Sequence, residues 1–288
     1  MTMAQSAAQT IVRSVLPAPL RSAVRQARRR LALLQMRGSA VQCPCCGSRL
    51  KAFLASGWNA RPKARCPACG ALERHRLLWL YLQRETSLFS APFKVLHFAP
   101  EPHFRRVFKT LPNVDYVTAD IDPERADVQV DIRNMTFDDA TFDVILCSHV
   151  LEHIDDDGRA MRELRRVLKP GGTAFIMTPY APAHAVSLED PAVTSPEERF
   201  KLFGNEGHVR IYGRDLSQRL REAGFDVTEH DYGASLPPED RAFHGIDVEE
   251  RYRTVSGYVH EDVIFRCIRP SGSMPATLPA AEAAATMR

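Results

Sequence analysis

FDVILCSHVLEHIDDDGRAMRELRRVLKPGG, residues 142–172, is the stretch on which the fold turns. It opens with an apolar run of strand length, Phe142–Cys147. After a polar break at Ser148 and His149, the residues Met161, Leu164, Val167 and Leu168 recur at helical spacing, with Arg162, Arg165 and Arg166 on the other face. Lys169-Pro170-Gly171-Gly172 then ends the helix: a cation suits a helix C-terminus, and neither Pro nor Gly continues one. Working outward, short apolar strands are expected at Lys94–Phe98, Asp115–Ala119, Asp127–Asp131, Thr173–Thr178, Phe225–His230 and Asp262–Ile268. Helical segments separate most of them. Alternation of this kind predicts an α/β chain whose parallel sheet is covered on both faces.

The chain has 288 residues, 44% of them hydrophobic and 25% charged. These are ordinary globular values, and they exclude collagen-like, wholly disordered and polytopic membrane classes. The uncharged run 171–188 contains two Gly, two Pro and His184, so it does not suit a membrane span. The net charge of +3 hides an asymmetry. Residues 1–72 hold 12 Lys+Arg and no acid, which leaves 26 basic against 35 acidic side chains, a net −9, on the remainder.

That basic part divides further. In residues 1–40, Leu20, Val24, Ala27, Leu31 and Leu34 follow helical spacing, with arginines mostly off the stripe. This pattern predicts a basic amphipathic leader that either docks on its own protein or meets an anionic surface, phospholipid head groups or RNA. Residues 41–71 contain two C-P-x-C-G knuckles, Cys43-Pro44-Cys45-Cys46-Gly47 and Cys66-Pro67-Ala68-Cys69-Gly70, with nineteen residues between Cys46 and Cys66. This is the spacing of a four-cysteine zinc site, with Cys43, Cys46, Cys66 and Cys69 as ligands and Cys45 turned away. An all-thiolate site leaves no open position, so the zinc is expected to be structural. Arg49, Lys51, Arg61, Lys63 and Arg65, lying among Phe53 and Trp58, suit either a nucleic-acid surface or a small packing module. Residues 72–269 form the main domain, with Glu73-Arg74-His75-Arg76 as a polar connection to the ribbon. Residues 270–288, rich in Pro, Ala and Ser, read as a disordered tail. Cysteine usage and the lack of a secretory signal point to the cytoplasm, with a membrane-peripheral position left open by the leader. The Arg-rich start also imitates an organellar transit peptide. Cys147 and Cys267, in apolar strands, are expected core residues.

In the main domain, Asp120 ends the second strand, where ribose hydroxyls are bound in doubly wound sheets. Asp131 ends the third, followed by Ile132. With residues 137–145, Val150-Leu151-Glu152-His153 and residues 166–172, the ordered set resembles the class I S-adenosylmethionine-dependent methyltransferases. A closer likeness, from Cys43 to Arg269, is to bacterial methyltransferases that carry a zinc ribbon, through 72–81, 95–101 and 203–212. The resemblance implies a seven-stranded Rossmann-like sheet with its last strand antiparallel. It assigns Asp120 and its neighbour Ile121 to the donor's ribose end, Asp131 and Ile132 to the adenine, and His97, Ala99, Glu101 and Ser148 to the same donor site. One motif departs from the family: Val95-Leu96-His97-Phe98-Ala99-Pro100-Glu101 has none of the usual glycines, so Ala99 stands where the backbone should approach the ligand closely.

Methyl transfer from a sulfonium needs positioning and, for a protonated acceptor, a base. His149 is the first candidate. His208 and Tyr212 are further catalytic candidates, and Arg210 is placed to bind an anionic acceptor group. Residues 180–198 read as an irregular segment able to close over the acceptor. His149 can equally be a packing residue before a helix, and 208–212 ordinary helix-entry contacts. The expected function is methyl transfer to an unidentified acceptor, a small molecule or a glycan. The rivals are an RNA-directed enzyme using residues 1–72, and a non-catalytic binding protein on the same fold.

Overall fold

A computed structural model describes residues 31, 33–57, 60–246, 257–259 and 261–272. Leu20 to Arg30 of the expected leader helix, Trp58 and residues 273–288 of the expected tail lie outside the described residues. The cysteine module is two antiparallel hairpins, β1 (Arg37–Gln42) with β2 (Arg49–Leu50) and β3 (Leu54–Ser56) with β4 (Arg61–Arg65). Then follow α1 (Glu73–Glu85), β5 (Phe93–Phe98), α2 (Pro102–Phe108), β6 (Val114–Asp120), β7 (Val128–Gln129) and β8 (Phe142–Ser148). A 3-10 turn (Leu151–His153) leads into α3 (Asp157–Val167) and β9 (Leu168–Met177). The last part carries β10 (Leu188–Glu189), α4 (Pro196–Phe203), β11 (Arg210–Ile211), α5 (Leu216–Glu222), β12 (Asp226–His230), α6 (Tyr232–Ser235), α7 (Pro238–His244) and β13 (Ile264–Ile268).

Seven strands make one sheet in the order β12-β13-β9-β8-β5-β6-β7. β5 to β9 are parallel, and β13 runs antiparallel between β9 and β12. All seven expected strands are therefore present, and the last is the antiparallel one. The chain winds outward in both directions from β5 and β8, so the sheet order reverses between them, and ligands in such sheets bind at the carboxyl ends of the strands there.

Side chains of a strand alternate faces, and two buried clusters follow from that period. Leu96, Phe98, Ile145, Cys147, Ala174 and Ile176 point to one face, where they meet Met161, Leu164 and Val167 of α3 and Leu216 and Leu220 of α5. Val95, Val144, Leu146, Phe175 and Met177 point to the other, beneath α1 and the Phe104 and Phe108 rings of α2. Cys43, Cys45, Leu50, Phe53, Cys66 and Ala71 belong to the second cluster, so the cysteine hairpins share a core with α1. Cys147 and Cys267 are fully buried.

Helix α3 is closed at both ends. The Asp156 side chain accepts from Arg159 N at 2.9 Å, and at the other end Arg269 Nη1 donates to the carbonyls of Arg165, Arg166 and Leu168. The stretch 180–198 is less irregular than its prolines suggest. Leu188–Glu189 pairs with Arg210–Ile211, and a small core of Ala181, Phe203 and Ile211 forms beneath them. No helix among the described residues is long and apolar enough to cross a membrane.

Candidate functional site

The carboxyl ends of β5, β6 and β8 and the segment after β7 enclose a cavity of about 480 Å³. Ala99, Asp120, Ile121, Asp131, Ile132 and His149, all singled out from sequence, line it. Two of them hold backbone conformations that side chains usually avoid: Ala99 has φ +47° and His149 φ +56°. Ala99 stays there because its N–H continues the ladder to Ala119 O at 2.9 Å, and the His149 N–H does the same to Met177 O at 2.8 Å. Backbone strain of this kind clusters at functional sites, which makes these two strand ends candidates for one.

The acids differ in how they are held. Asp120 accepts the Asp122 N–H at 2.9 Å on one oxygen. Asp131 accepts from Arg133 N at 2.9 Å and from the Arg133 guanidinium at 2.8 Å, which keeps its carboxyl below the ordinary range. Ile121 is 65% exposed, an apolar side chain left uncovered at the cavity edge. Arg125, Arg133 and His153 also line the cavity. Sequence reading missed the first two because their side chains reach the site from exposed turns.

His97, Glu101 and Ser148 stand behind the cavity wall. His97 is fully buried, with Nδ1 2.7 Å from the Tyr116 hydroxyl and Nε2 3.0 Å from Glu101 Oε2. The other Glu101 oxygen lies 3.5 Å from His75 Nε2. Burial would raise the Glu101 pKa, but the neighbouring His97, His75 and His103 rings hold it below the usual carboxylate range. Burial pushes His103 down to about 4. The Ser148 hydroxyl is buried with no hydrogen-bond partner among the described residues.

Arg210 and Tyr212 are not brought to the cavity. Arg210 is 3% exposed and donates to the carbonyls of Leu151, Ile154 and Asp155, with Glu189 Oε2 at 3.3 Å. Tyr212 is fully buried and donates to Asp157 Oδ2 at 2.8 Å. Both differ from the sequence expectation: the Arg210 guanidinium is taken up by carbonyls in and after the 3-10 turn, and the Tyr212 hydroxyl by Asp157. Together with the Val209 N–H on Glu152 O (2.9 Å), they clamp the 208–212 segment onto that turn. His208 is thereby set beside Glu152, with Nε2 3.9 Å from Oε1, and burial lowers its pKa to about 4.

In the cysteine module, Cys43 Sγ lies 3.7 Å from Cys69 Sγ and Cys46 Sγ 3.9 Å from Cys66 Sγ, and all four are within 4.8 Å of one another. Four sulfurs bound tetrahedrally at ~2.3 Å stand ~3.8 Å apart, so the set suits one thiophilic ion. Cys45 Sγ instead points to the His75 carbonyl at 3.6 Å. Two readings of the module's side chains change. Arg61 is buried against Glu73 (3.2 Å), and Phe53 lies under the Arg76 guanidinium (3.9 Å), so neither is presented to a nucleic acid.

Compared with known proteins, residues 97–230 match a family model described as a methyltransferase domain. The ubiquinone/menaquinone biosynthesis C-methyltransferase of Idiomarina loihiensis is 43% identical over 96 residues, which cover 33% of this chain and 37% of that protein. A probable S-adenosylmethionine-dependent methyltransferase of Mycolicibacterium smegmatis is 30% identical over 147 residues, 48% of this chain and 52% of the relative. The chain thus spans about half, or less, of the length of these relatives. Among solved structures, the YcgJ protein of Bacillus subtilis aligns over 69% of this chain and 100% of its own, at 18% identity and a TM-score of 0.47.

Proposed function

We propose, from a chain whose residues 97–230 match a methyltransferase-domain family model, that it transfers a methyl group from S-adenosylmethionine to a small-molecule or glycan acceptor. The observation that carries this reading is the cavity at the carboxyl ends of β5, β6 and β8, which gathers five of the residues expected at a donor site together with the expected base, His149. Asp120 would accept the ribose hydroxyls, while Asp131 and the Ile132 backbone would read the adenine edge between the apolar Ile121 and Ile132. Ala99, already in the left-handed region, lets the β5 loop approach the donor as glycine does elsewhere. When bound, the donor supplies an electrophilic methyl on a sulfonium. His149 would take the acceptor proton on Nε2, which is buried with no hydrogen-bond partner among the described residues, while Nδ1 faces Glu152 Oε1 at 3.1 Å. His97 and Glu101 position the loop from behind. Cys43, Cys46, Cys66 and Cys69 would hold a structural zinc that fixes the hairpins.

A second reading, RNA as acceptor, is favoured by the exposure of Arg37, Arg49, Lys51, Lys63 and Arg65 on the hairpins. Incubation with methyl-labelled donor and fractionated cell extract separates the two. Label in the small-molecule or glycan fraction, lost in His149→Ala, supports the first. Label in RNA, weakening steeply with salt, supports the second, and label in no fraction favours a non-catalytic protein.

A further inference from the structure

Glu152 is a carboxylate with no ordinary explanation. It is 0% exposed, and among the described residues neither oxygen has a hydrogen-bond partner. His149 Nδ1 stands 3.1 Å from Oε1 but off the direction a hydrogen bond needs. A bare buried carboxylate is costly unless something positive meets it. No Lys or Arg side chain pairs with it among the described residues. Three imidazoles do face it: His149, His153 and His208.

One ligand atom each from Glu152, His153 and His208 lies within 4.8 Å of the other two. The rings of His153 and His208 are edge to face, with centroids 4.7 Å apart. The Gly207 carbonyl accepts from His153 Nδ1 at 3.0 Å, so that nitrogen carries the proton and Nε2 keeps its lone pair. A carbonyl behind a histidine in this way is the usual orienting partner of a metal ligand. Gly207 is fitted to that contact, since a Cβ there would stand 3.0 Å from His153 Nδ1. The third ligand is delivered by the clamp already described, in which Arg210 and Tyr212 bind 208–212 to the turn.

We propose that Glu152, His153 and His208 form a site for a divalent transition-metal cation at the edge of the cavity. Bonds of ~2.1 Å put neighbouring ligand atoms ~3.4 Å apart, so the set must close by little more than ~1 Å. His153 is the exposed member of the three, so the closure falls to its side of the site. Two imidazoles and one carboxylate suit zinc, iron or manganese and leave coordination positions open. His153 lines the cavity, so an open position faces it. If the cavity is a methyl-transfer site, as proposed above, the cation would hold an acceptor oxygen and lower its pKa, with His149 beside it to take the proton.

The test uses the full chain with its cysteine site filled with zinc, titrated with Co²⁺ and read by visible absorption. One further equivalent is expected, with a nitrogen–oxygen d–d band and no thiolate charge-transfer band. Glu152→Gln and His208→Gln should each weaken it at least tenfold. His153→Gln, at an exposed position, gives the same reading should a buried variant fail to fold. No cobalt beyond the thiolate site, or an extra equivalent indifferent to all three substitutions, overturns the site. Donor titration of the same samples is a separate readout, so loss of the metal site with donor binding intact leaves the methyltransferase reading standing.

Discussion

Arg76 is the side chain whose removal should show how the cysteine hairpins are attached. It is 0% exposed, and its five N–H groups are all used: Nε to His244 O, Nη1 to Ala64 O and Ala71 O, and Nη2 to Lys63 O and Gly245 O. Among the described residues no carboxylate joins it, and Glu73 is held by Arg61. The bonds therefore run from one buried cation to the hairpins on one side and to the end of α7 on the other. A hydrogen bond to a charged group is worth about 1.5–3 kcal/mol, but burying the guanidinium costs several kcal/mol, so the sum of five overstates the gain. Removing the cation takes a donor from five carbonyls, of which Ala71 O keeps the Cys66 N–H, and the expected loss for Arg76→Met is about 3–5 kcal/mol. Arg76→Lys keeps at most three of the five bonds and should fall between. Urea denaturation of the zinc-loaded protein measures the loss. Hydrogen exchange should localise it to residues 60–76 and 238–246. A loss below about 1 kcal/mol, or exchange that rises evenly across the sheet, would refute the reasoning.

Other consequences are as direct. His103 is buried neutral, with its pKa lowered from 6.5 to about 4, so the unfolded chain takes the proton first as pH falls. Its contribution is intact above 6.5 and declines towards 4, reaching about 2 kcal/mol lost at pH 5; His103→Gln should remove that share of the slope in denaturation at pH 8 and pH 5. Metal analysis should find Cys45→Ala retaining the hairpin zinc and Cys46→Ala losing it, because only the Cys46 sulfur faces the other three. Equal retention in both would contradict the ligand assignment. Ala99→Val places a branched residue at φ +47°, a strain of at least about 1–2 kcal/mol; donor affinity should fall in a protein that still folds, whereas unchanged affinity would remove the β5 loop from the site.

What the sequence revealed and what it hid divide along a physical line. The central strands were legible because a strand buried on both faces is an apolar run that needs no partner to be recognised, as in Phe142–Cys147. The cysteine cluster was legible from spacing, since two tight knuckles can bring four sulfurs together only one way. The β10–β11 pair was not, because Leu188 meets Ile211 across a segment rich in prolines, and no local window contains both. Arg76 was hidden for the same reason: its partners His244 and Gly245 lie 168 and 169 positions away. Glu152 stands out in the sequence only as part of the Val150–His153 motif, and it is tertiary burial that makes it unusual. Arg210 and Tyr212 show the converse error. A polar cluster after an irregular segment looks like a binding motif, yet these two side chains satisfy the turn that carries Glu152.

The most direct test of the central claim is calorimetric titration of the folded, zinc-loaded protein with S-adenosylmethionine and with S-adenosylhomocysteine, beside Asp120→Ala. Binding in the micromolar range that Asp120→Ala weakens at least tenfold is the expected result. No binding to the folded protein, or binding that Asp120→Ala leaves unchanged, would contradict the assignment of the cavity to the donor.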